Sequence, residues 1–592
     1  MAYRAPVEEI AFTLRHVAGL GDAMAAGAVG DLSDDLVDAV LTEAGRFATD
    51  KVTPLDAVGD RVGARFEAGA VTTPPGWKEA YREWREAGWN GLVADPEHGG
   101  QGLPIALGVA TFEMWNSAAL AFGLGPTLTI AAIEAVAAHA SPELQGVFLE
   151  KLVSGEWMGT MNLTEPQAGS DLAALRARAE PAADGSYRVF GQKIFITFGE
   201  HDLTDNIVHL VLARLPDAPP GTKGISLFLV PKFLVEADGR PGARNDVTCR
   251  SIEHKLGLHA SPTCVMGFGD GGEGAVGYLV GEPHQGLKCM FTMMNNARLQ
   301  VGIQGVGIAE RATQQAVAYA ADRRQGRSPR WDGGGMSPII EHPDVRRTLL
   351  TMRALTNASR AIAYACAVAI DRARSAEGDE RRHWQERANL LTPVAKAYPT
   401  DIGVEVASLG IQVHGGMGYI EETGVARNLR DARIAPIYEG TNGIQAIDLV
   451  VRKLPQSGGA AVRGYIAELA AVAERARGAN RPDLGDAARR LTAALADLTA
   501  ATEWLLAAQA DGRGEAALAG ATPYLKLFGL AAGGTGLVAA ALADGGDGRG
   551  ASRTLVARHF AEAHLPETTS LRAIVEGGGG AVLAATAELL AG

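Results

Sequence analysis

The apolar residues of this 592-residue chain change period twice, and that double change limits the fold more tightly than any single motif. Up to about residue 158 the spacing is helical. Asp31, Ser33 and Asp34 supply N-cap chemistry ahead of Leu36, Val37, Val40 and Leu41, and the runs 77–87, 106–120 and 130–139 repeat the pattern. From Gly159 to about Leu279 the chain alternates instead, in short runs (187–190, 192–197, 207–213 and 225–230) bounded by Gly, Pro and Asp. That is the spacing of strands in a small barrel or sandwich. Helical patterns return after Gln285, over about 290–323, 342–374 and 379–398, with a fourth that contains 404–411. Pro455-Gln456-Ser457-Gly458-Gly459 is a natural boundary. Beyond it 464–507, 516–542, 553–564 and 568–590 again read as helices.

This order predicts an α+β multidomain protein. An N-terminal helical domain covers 1–158 and a central β-barrel or β-sandwich domain 159–284. A C-terminal helical domain of four-helix-bundle type covers 285–454, and an additional helical domain 455–592. The length alone exceeds what one core can enclose. Aromatic residues make up only 6% of a chain rich in Ala, so its helices are expected to close on one another through small side chains. The net charge of -13, from 55 basic and 68 acidic residues, argues against broad nucleic-acid binding. Cys249, Cys264, Cys289 and Cys366 form no CxxC and have no His at metal-ligand spacing, so they read as reduced thiols and no metal site is expected. Arg4, Glu8, Glu9 and Arg15 interrupt any signal-peptide core, and apolar stretches elsewhere are broken by charge or Gly before membrane-spanning length. The expectation is a cytoplasmic protein with no membrane partner.

Five segments carry candidate chemistry, and each has a plainer reading beside it. Ile437 to Gln445 places Glu439 next to Gly440 on a turn ahead of a helix, where a carboxylate can approach a ligand or simply favour the helix dipole. Met161 to Leu172 offers hydroxyls at Thr164 and Ser170 around Gly169, or a capping turn. In Gln192 to Gly199, Phe195 and Thr197 stand two residues apart on a strand, able to wall and bond a planar ring or to make an ordinary half-buried face. The Arg323-Arg324-Gln325-Gly326-Arg327 cluster ends a helix, where arginines suit a phosphate or the C-terminal dipole. Gln412-Val413-His414-Gly415-Gly416-Met417-Gly418 puts three glycines in four positions, fit for a pyrophosphate or for a C-cap and turn. Gly99 to Pro104 reads as a plain turn, since no Gly-Lys-Ser/Thr follows and no strand precedes it.

Taken together, Thr164-Glu165-Pro166 through Gly169-Ser170-Asp171, the Phe195-Ile196-Thr197 strand, Gln412 to Gly418 and Ile437 to Gln445 resemble the signatures of the acyl-CoA dehydrogenase family, in its order and approximate spacing. The resemblance is strongest over about 161–454. The length and the additional C-terminal helices resemble a large bacterial subgroup of that family, as do Asn442-Gly443 and the Gln325-Gly326-Arg327 ending.

What the resemblance implies is an FAD-dependent enzyme that converts an acyl-CoA thioester to a trans-2-enoyl-CoA. Glu439 is then the base for the α-proton, the β-hydrogen leaves as hydride to flavin N5, and electrons pass to an electron-transferring flavoprotein. The subgroup points to short or sulfur-containing acyl groups such as 3-methylthiopropanoyl-CoA, and relatives form homodimers or homotetramers. The cofactor residues it implies are Met161, Leu163, Thr164, Gly169, Ser170, Phe195, Ile196, Thr197, Arg323, Gln412, Val413, Gly415, Gly416, Thr441 and Gly443. Those it implies for substrate are Ser170, Asn295, Arg298 and Gly440.

Some positions depart from the family pattern. Phe195 stands where many relatives have Trp, Phe198 where they have Asn, and Asn295 where shorter members often carry an acid. His414 reads as a packing residue. Two rival readings keep the fold and change the chemistry: a flavin-binding DNA-associated alkylation-response type, and a flavin oxidase or monooxygenase. The mixed charges after Pro455 speak against the first and Glu439 against the second.

Overall fold

The apolar runs at the middle of the chain form strands with no wet face: every residue of Ile225–Pro231 is buried, and Asn206–Arg214 exposes only part of Arg214. In the computed structural model, which describes residues 3–543 and 545–592, eight strands make one sheet. They are β1 (Trp157–Asn162), β2 (Arg178–Pro181), β3 (Tyr187–Thr197), β4 (Asn206–Arg214), β5 (Ile225–Pro231), β6 (Val247–Ile252), β7 (Thr263–Phe268) and β8 (Ala275–Val280). The strand order is β6-β7-β3-β8-β5-β4-β1, and β2 pairs with both β3 and β4. That second pairing closes β2, β3, β8, β5 and β4 into a ring, so the middle is a barrel filled by residues such as Val189, Leu210, Leu227 and Leu229.

The barrel belongs to a unit made of Arg46–Leu103 and Ala118–Ala297. Its helices include one over Leu120–His139, whose Thr129 hydroxyl accepts from the Gly159 N–H of β1 at 3.2 Å. This helix starts ten residues before the 130–139 run read from the sequence, because small and apolar residues surround Pro126 and hide the period. A short hairpin, Arg65–Glu67 with Ala70–Thr72, also interrupts a region read as wholly helical.

β3 carries an irregularity that matters later. Cys264 pairs with Ile196 and Met266 with Lys193, so Ile194 and Phe195 together face Val265. Two residues against one is a β-bulge, and it re-aims a side chain. Phe195 takes a left-handed φ of 60° there and is 58% exposed, while Ile196 beside it is buried.

The other unit comprises Met1–Gly45, Pro104–Ser117 and Arg298–Gly592. Its main helices are α1 (Ile105–Ala118), α2 (Gly286–Asp322, from Arg298 onward), α3 (Pro343–Ser375), α4 (Gly378–His414), α5 (Asn442–Asp448) and α6 (Ala521–Leu542). The two patterns expected over 379–398 and around 404–411 are one helix, α4, which runs through Pro393 and Pro399. A proline deletes one backbone donor and normally breaks a helix. Here the Thr400 hydroxyl donates back to the Lys396 and Ala397 carbonyls at 3.0 and 2.9 Å. The α2 backbone also presses against the same turns: a Cβ on Gly302 would lie 1.8 Å from the Ala395 carbonyl oxygen, and one on Gly305 2.3 Å from that of Pro399. Tertiary packing therefore overrides the local breaker.

Charged side chains knit the same unit. The Arg360 guanidinium of α3 is fully buried between Glu113 of α1, at 2.6 Å, and Glu310 of α2, at 2.8 Å. Tyr364 donates to Glu113 at 2.6 Å, and Arg353 pairs with Glu310 at 2.7 Å.

The helices after residue 455 pack on this bundle through glycine. A Cβ on Gly529 of α6 would sit 2.2 Å from the Tyr398 ring, one on Gly533 2.8 Å from Ala358, and one on Gly536 2.8 Å from Ala361. Contrary to the sequence reading, among the described residues three helices are long and apolar enough to cross a bilayer: Leu120–His139, Ala487–Ala510 and Ala521–Leu542. Their apolar windows are buried inside the protein to 83%, 50% and 72% respectively.

Candidate active site

Glu439 sits on a turn whose backbone is fixed from both sides. Tyr438 N–H donates to the Ile434 carbonyl at 3.2 Å and Asn442 N–H to that of Pro436 at 2.9 Å. Thr441 caps α5 through its hydroxyl, which accepts from Ile444 N–H at 3.3 Å. Between these anchors Glu439 and Gly440 both take left-handed φ, 56° and 84°. Glycine does so freely, but a glutamate pays in strain and stays only where its surroundings insist. The insistence is visible. Gln445, fully buried, donates to the Glu439 carbonyl at 3.2 Å, and the Tyr438 hydroxyl donates to the buried Gln304 of α2.

Charges gather around this turn. Arg298 of α2 and Lys396 of α4 act on the Glu439 carboxyl, and Asp448 at the end of α5 acts on Arg298. Arg452, in the π-helical turn Leu449–Lys453, reaches Asp448 at 2.5 Å. Burial pushes the Glu439 carboxyl up to about 7, against the pull of Arg298 and Lys396. Burial likewise brings the Lys396 ammonium down to about 7, against Glu439 and Asp401. Residue Glu439 as a whole is half-buried, whereas Lys396 is fully buried. A carboxyl tuned near neutrality is suited to accept a proton at ordinary pH.

The sequence-derived residues of this unit fall into two places. Arg298, Glu439, Gly440, Thr441 and Gly443 belong to the turn and its immediate surroundings. Arg323, Gln412, Val413, Gly415 and Gly416 belong to the adjoining ends of α2 and α4, where Tyr319 stacks on His414 with ring centroids 4.2 Å apart. Arg323 and Gln412 are exposed and Val413 is buried. Cβ atoms built on Gly415 and Gly416 would meet nothing within 4 Å. His414 packs as the sequence reading expected, its Nδ1 bonded to the Gly410 carbonyl at 2.7 Å.

In the barrel unit Met161 is the next-to-last residue of β1, and Leu163 and Thr164 follow the strand at the start of a loop. Thr164 is tied to β3 by its carbonyl, which accepts from Ile194 N–H at 2.9 Å. Phe195, Ile196 and Thr197 finish β3, and the Thr197 carbonyl accepts from the Thr160 hydroxyl at 2.7 Å. Gly169 and Ser170 are exposed on the loop, as is Asn295 farther along the chain.

Two lysines were not read from the sequence. Lys193 is fully buried and donates to the Leu163 carbonyl at 3.0 Å and to Glu165 at 2.8 Å. The Glu165 carboxylate also accepts from Arg176 and Ala177 N–H at 2.8 and 3.0 Å, so this one ion pair staples the loop that carries Thr164, Gly169 and Ser170. Burial opposes ionisation of Glu165, yet the Lys193 charge and these donors hold its carboxyl below the usual range. Lys396 plays the matching part near Glu439, donating to the Asn442 side-chain oxygen at 2.7 Å. The available signal was a single charge in an apolar run, such as Leu390 to Tyr398, but the partner lies 46 residues away.

Comparison with known proteins agrees with this layout. Family models described as acyl-CoA dehydrogenase N-terminal, middle and C-terminal domains match residues 36–156, 160–270 and 284–454, and an acetyl-CoA dehydrogenase C-terminal-like model matches 465–586. A 3-methylmercaptopropionyl-CoA dehydrogenase of Ruegeria pomeroyi is 48% identical over 92% of this chain and 91% of its own. A broad-specificity linear acyl-CoA dehydrogenase of Mycobacterium tuberculosis is 33% identical over 97% of both chains. Among solved structures, Caenorhabditis elegans ACDH-11 in complex with C11-CoA superposes with a TM-score of 0.78 at 20% identity, over 98% of this chain and 96% of that one. An acyl-CoA dehydrogenase from Bacillus anthracis complexed with FAD gives 0.75 at 20% identity, over 95% and 91%. With domain models spanning most of its length and a relative sharing nearly half its residues, this chain belongs to the acyl-CoA dehydrogenase family of oxidoreductases.

Proposed function

We propose that the protein, with FAD bound, removes the α- and β-hydrogens of a short-chain acyl-CoA thioester, and that Glu439 is the base for the α-proton. The observation that carries this reading is the Glu439 turn: a carboxyl held by two left-handed residues, with its pKa pushed up to about 7 by burial. A thioester α-proton is weakly acidic, so its removal needs a base matched to the working pH and donors for the charge that develops on the carbonyl. Among the described residues no carbonyl or side chain accepts from the Glu439 N–H, which leaves it able to donate to that oxygen. Arg298 and Lys396 favour the carboxylate, the form that must be present before the proton can be taken.

The residues also fit the cofactor. On β3 the bulge leaves Phe195 exposed, Thr197 lies two residues farther along the strand, and Thr164 is bonded through its carbonyl to Ile194 beside Phe195, a set of side-chain types suited to a flavin ring. At the ends of α2 and α4, exposed Arg323 and the uncrowded Gly415 and Gly416 suit phosphate groups. When bound, FAD accepts the electron pair that leaves the β-carbon as hydride. The high identity to a 3-methylmercaptopropionyl-CoA dehydrogenase supports 3-methylthiopropanoyl-CoA or a similar short acyl group as substrate. An electron-transferring flavoprotein as acceptor, and a homodimer or homotetramer in solution, complete the reading.

An anaerobic titration of the FAD-loaded protein with a panel of acyl-CoAs tests it. Flavin bleaching should be strongest for short or 3-methylthio-substituted chains. Glu439→Gln should keep FAD and lose bleaching by about 10⁴-fold, the upper end for a general base. Bleaching at the parental rate in that variant overturns the assignment of the base.

A further inference from the structure

We infer that Lys396 is a positioning residue for the reaction: its buried ammonium, clamped on Asn442, holds the turn that carries Glu439 and supplies the cation toward which the Glu439 carboxylate forms. The inference rests on Glu439 being the base. Lys396 lies on α4 with no solvent contact, and an ammonium so placed needs bonded acceptors and a counter-charge. Its donor goes to Asn442 Oδ1 at 2.7 Å. Asn442 in turn donates from Nδ2 to the Ala397 carbonyl at 3.1 Å, to the Thr400 hydroxyl at 3.0 Å and to Asp401 Oδ1 at 2.7 Å. One amide three residues from Glu439 is thus riveted to one turn of α4, and Lys396 is the rivet that carries charge.

Other charged groups also surround the carboxyl. Arg298 on α2 faces Asp448 as well as Glu439, and Asp448 is shared with Arg452 and Lys453 of the following turn. Asp401 on α4 is engaged by Asn442 and lies within the influence of Arg433 and of Lys526 from α6. Tyr438, on the base's own segment, is spent on Gln304. The Lys396 bond to Asn442 is made to the loop of the base itself. While Lys396 is protonated, its charge also restrains the upward push that burial exerts on the carboxyl, a push that grows when substrate covers the turn.

The test is the ionisation of Glu439 itself, read by infrared difference spectroscopy of the FAD-loaded protein across a pH titration. The protonated carboxyl band is assigned by its disappearance in Glu439→Gln. In Lys396→Met the midpoint of that band should rise by about one pH unit or more, and the ascending limb of the pH profile of kcat should move with it. Lys396→Arg should restore the parental midpoint at least in part. Asn442→Ala, which leaves the lysine in place but cuts its tether, should lower kcat about tenfold with KM little changed. If Lys396→Met misfolds, Lys396→Arg and Asn442→Ala carry the test. An unmoved midpoint in folded Lys396→Met, or a parental kcat in Asn442→Ala, overturns the inference while leaving the Glu439 assignment intact. A Glu439→Gln variant that still bleaches overturns that assignment instead.

Discussion

The Arg360 guanidinium and the Glu113 carboxylate face each other at 2.6 Å with neither exposed to solvent, joining two helices that are 247 residues apart in sequence at that pair. Removing one partner of such a pair strands the other charge in the interior. Glu113→Gln should therefore destabilise the protein by about 3–5 kcal/mol. Chemical denaturation followed by circular dichroism checks it. A change under about 1 kcal/mol would mean that Asn357 and Glu310 suffice to hold Arg360.

Glu439 should cost stability in return for its role. Its folded pKa, about 7, lies above the unfolded value of 4.5, so the fold favours the protonated form. Stability from that preference is complete below pH 4.5 and is lost as pH rises through 7. Glu439→Gln, neutral throughout, should match the parent near pH 4.5 and melt about 1–2 °C higher at pH 8, a small gain because the residue is only half-buried. Thermal scans of both proteins at the two pH values decide the sign.

The Lys193–Glu165 staple should control cofactor retention as well as stability. Lys193→Met leaves the Glu165 carboxylate buried without its counter-ion, so the loop from Leu163 to Ala177 should loosen and the protein lose about 3–5 kcal/mol. FAD should dissociate at least about tenfold more readily, measured by fluorescence of released flavin. Adding Glu165→Gln should recover part of the stability, because no unpaired charge then remains.

Phe195 offers the opposite profile. Its ring is 58% exposed on a bulge, so Phe195→Ala should change stability by only about 0.5 kcal/mol. The same change should alter the fluorescence and visible bands of bound flavin. Unchanged spectra would remove Phe195 from the ring wall.

The α2–α4 crossing should reject even one methyl group. Gly305→Ala would place its Cβ 2.3 Å from the Pro399 carbonyl oxygen, which is backbone and cannot swing aside. A loss of about 3 kcal/mol, the upper end for overpacking, should appear as a lower melting temperature and reduced folded yield.

The residues differ in how much they disclose before folding. The change from helical to alternating spacing near Trp157 was plain, because the strands of a barrel and the faces of long helices each impose their own period. The carboxyl beside Gly440 is a local pattern too, but it fits a helix-dipole acid equally well, and the family resemblance is what singles out Glu439 as a candidate base. Pro399 misled, because the α2 backbone packs directly against the turns at Ala395 and Pro399, a restraint that local propensity does not report. The bulge at Phe195 escaped because it is set by pairing with Val265, 70 residues away. Lys193 and Lys396 escaped for the same reason: a buried lysine becomes intelligible only with its acceptor.

Three notches spaced along Ala521–Leu542, at Gly529, Gly533 and Gly536, let that rod settle directly onto Tyr398, Ala358 and Ala361. Cutting the chain after residue 455 would therefore not trim a detachable ornament. It would strip the cover from the helix that holds Lys396, wetting the Tyr398 ring only two residues from that lysine.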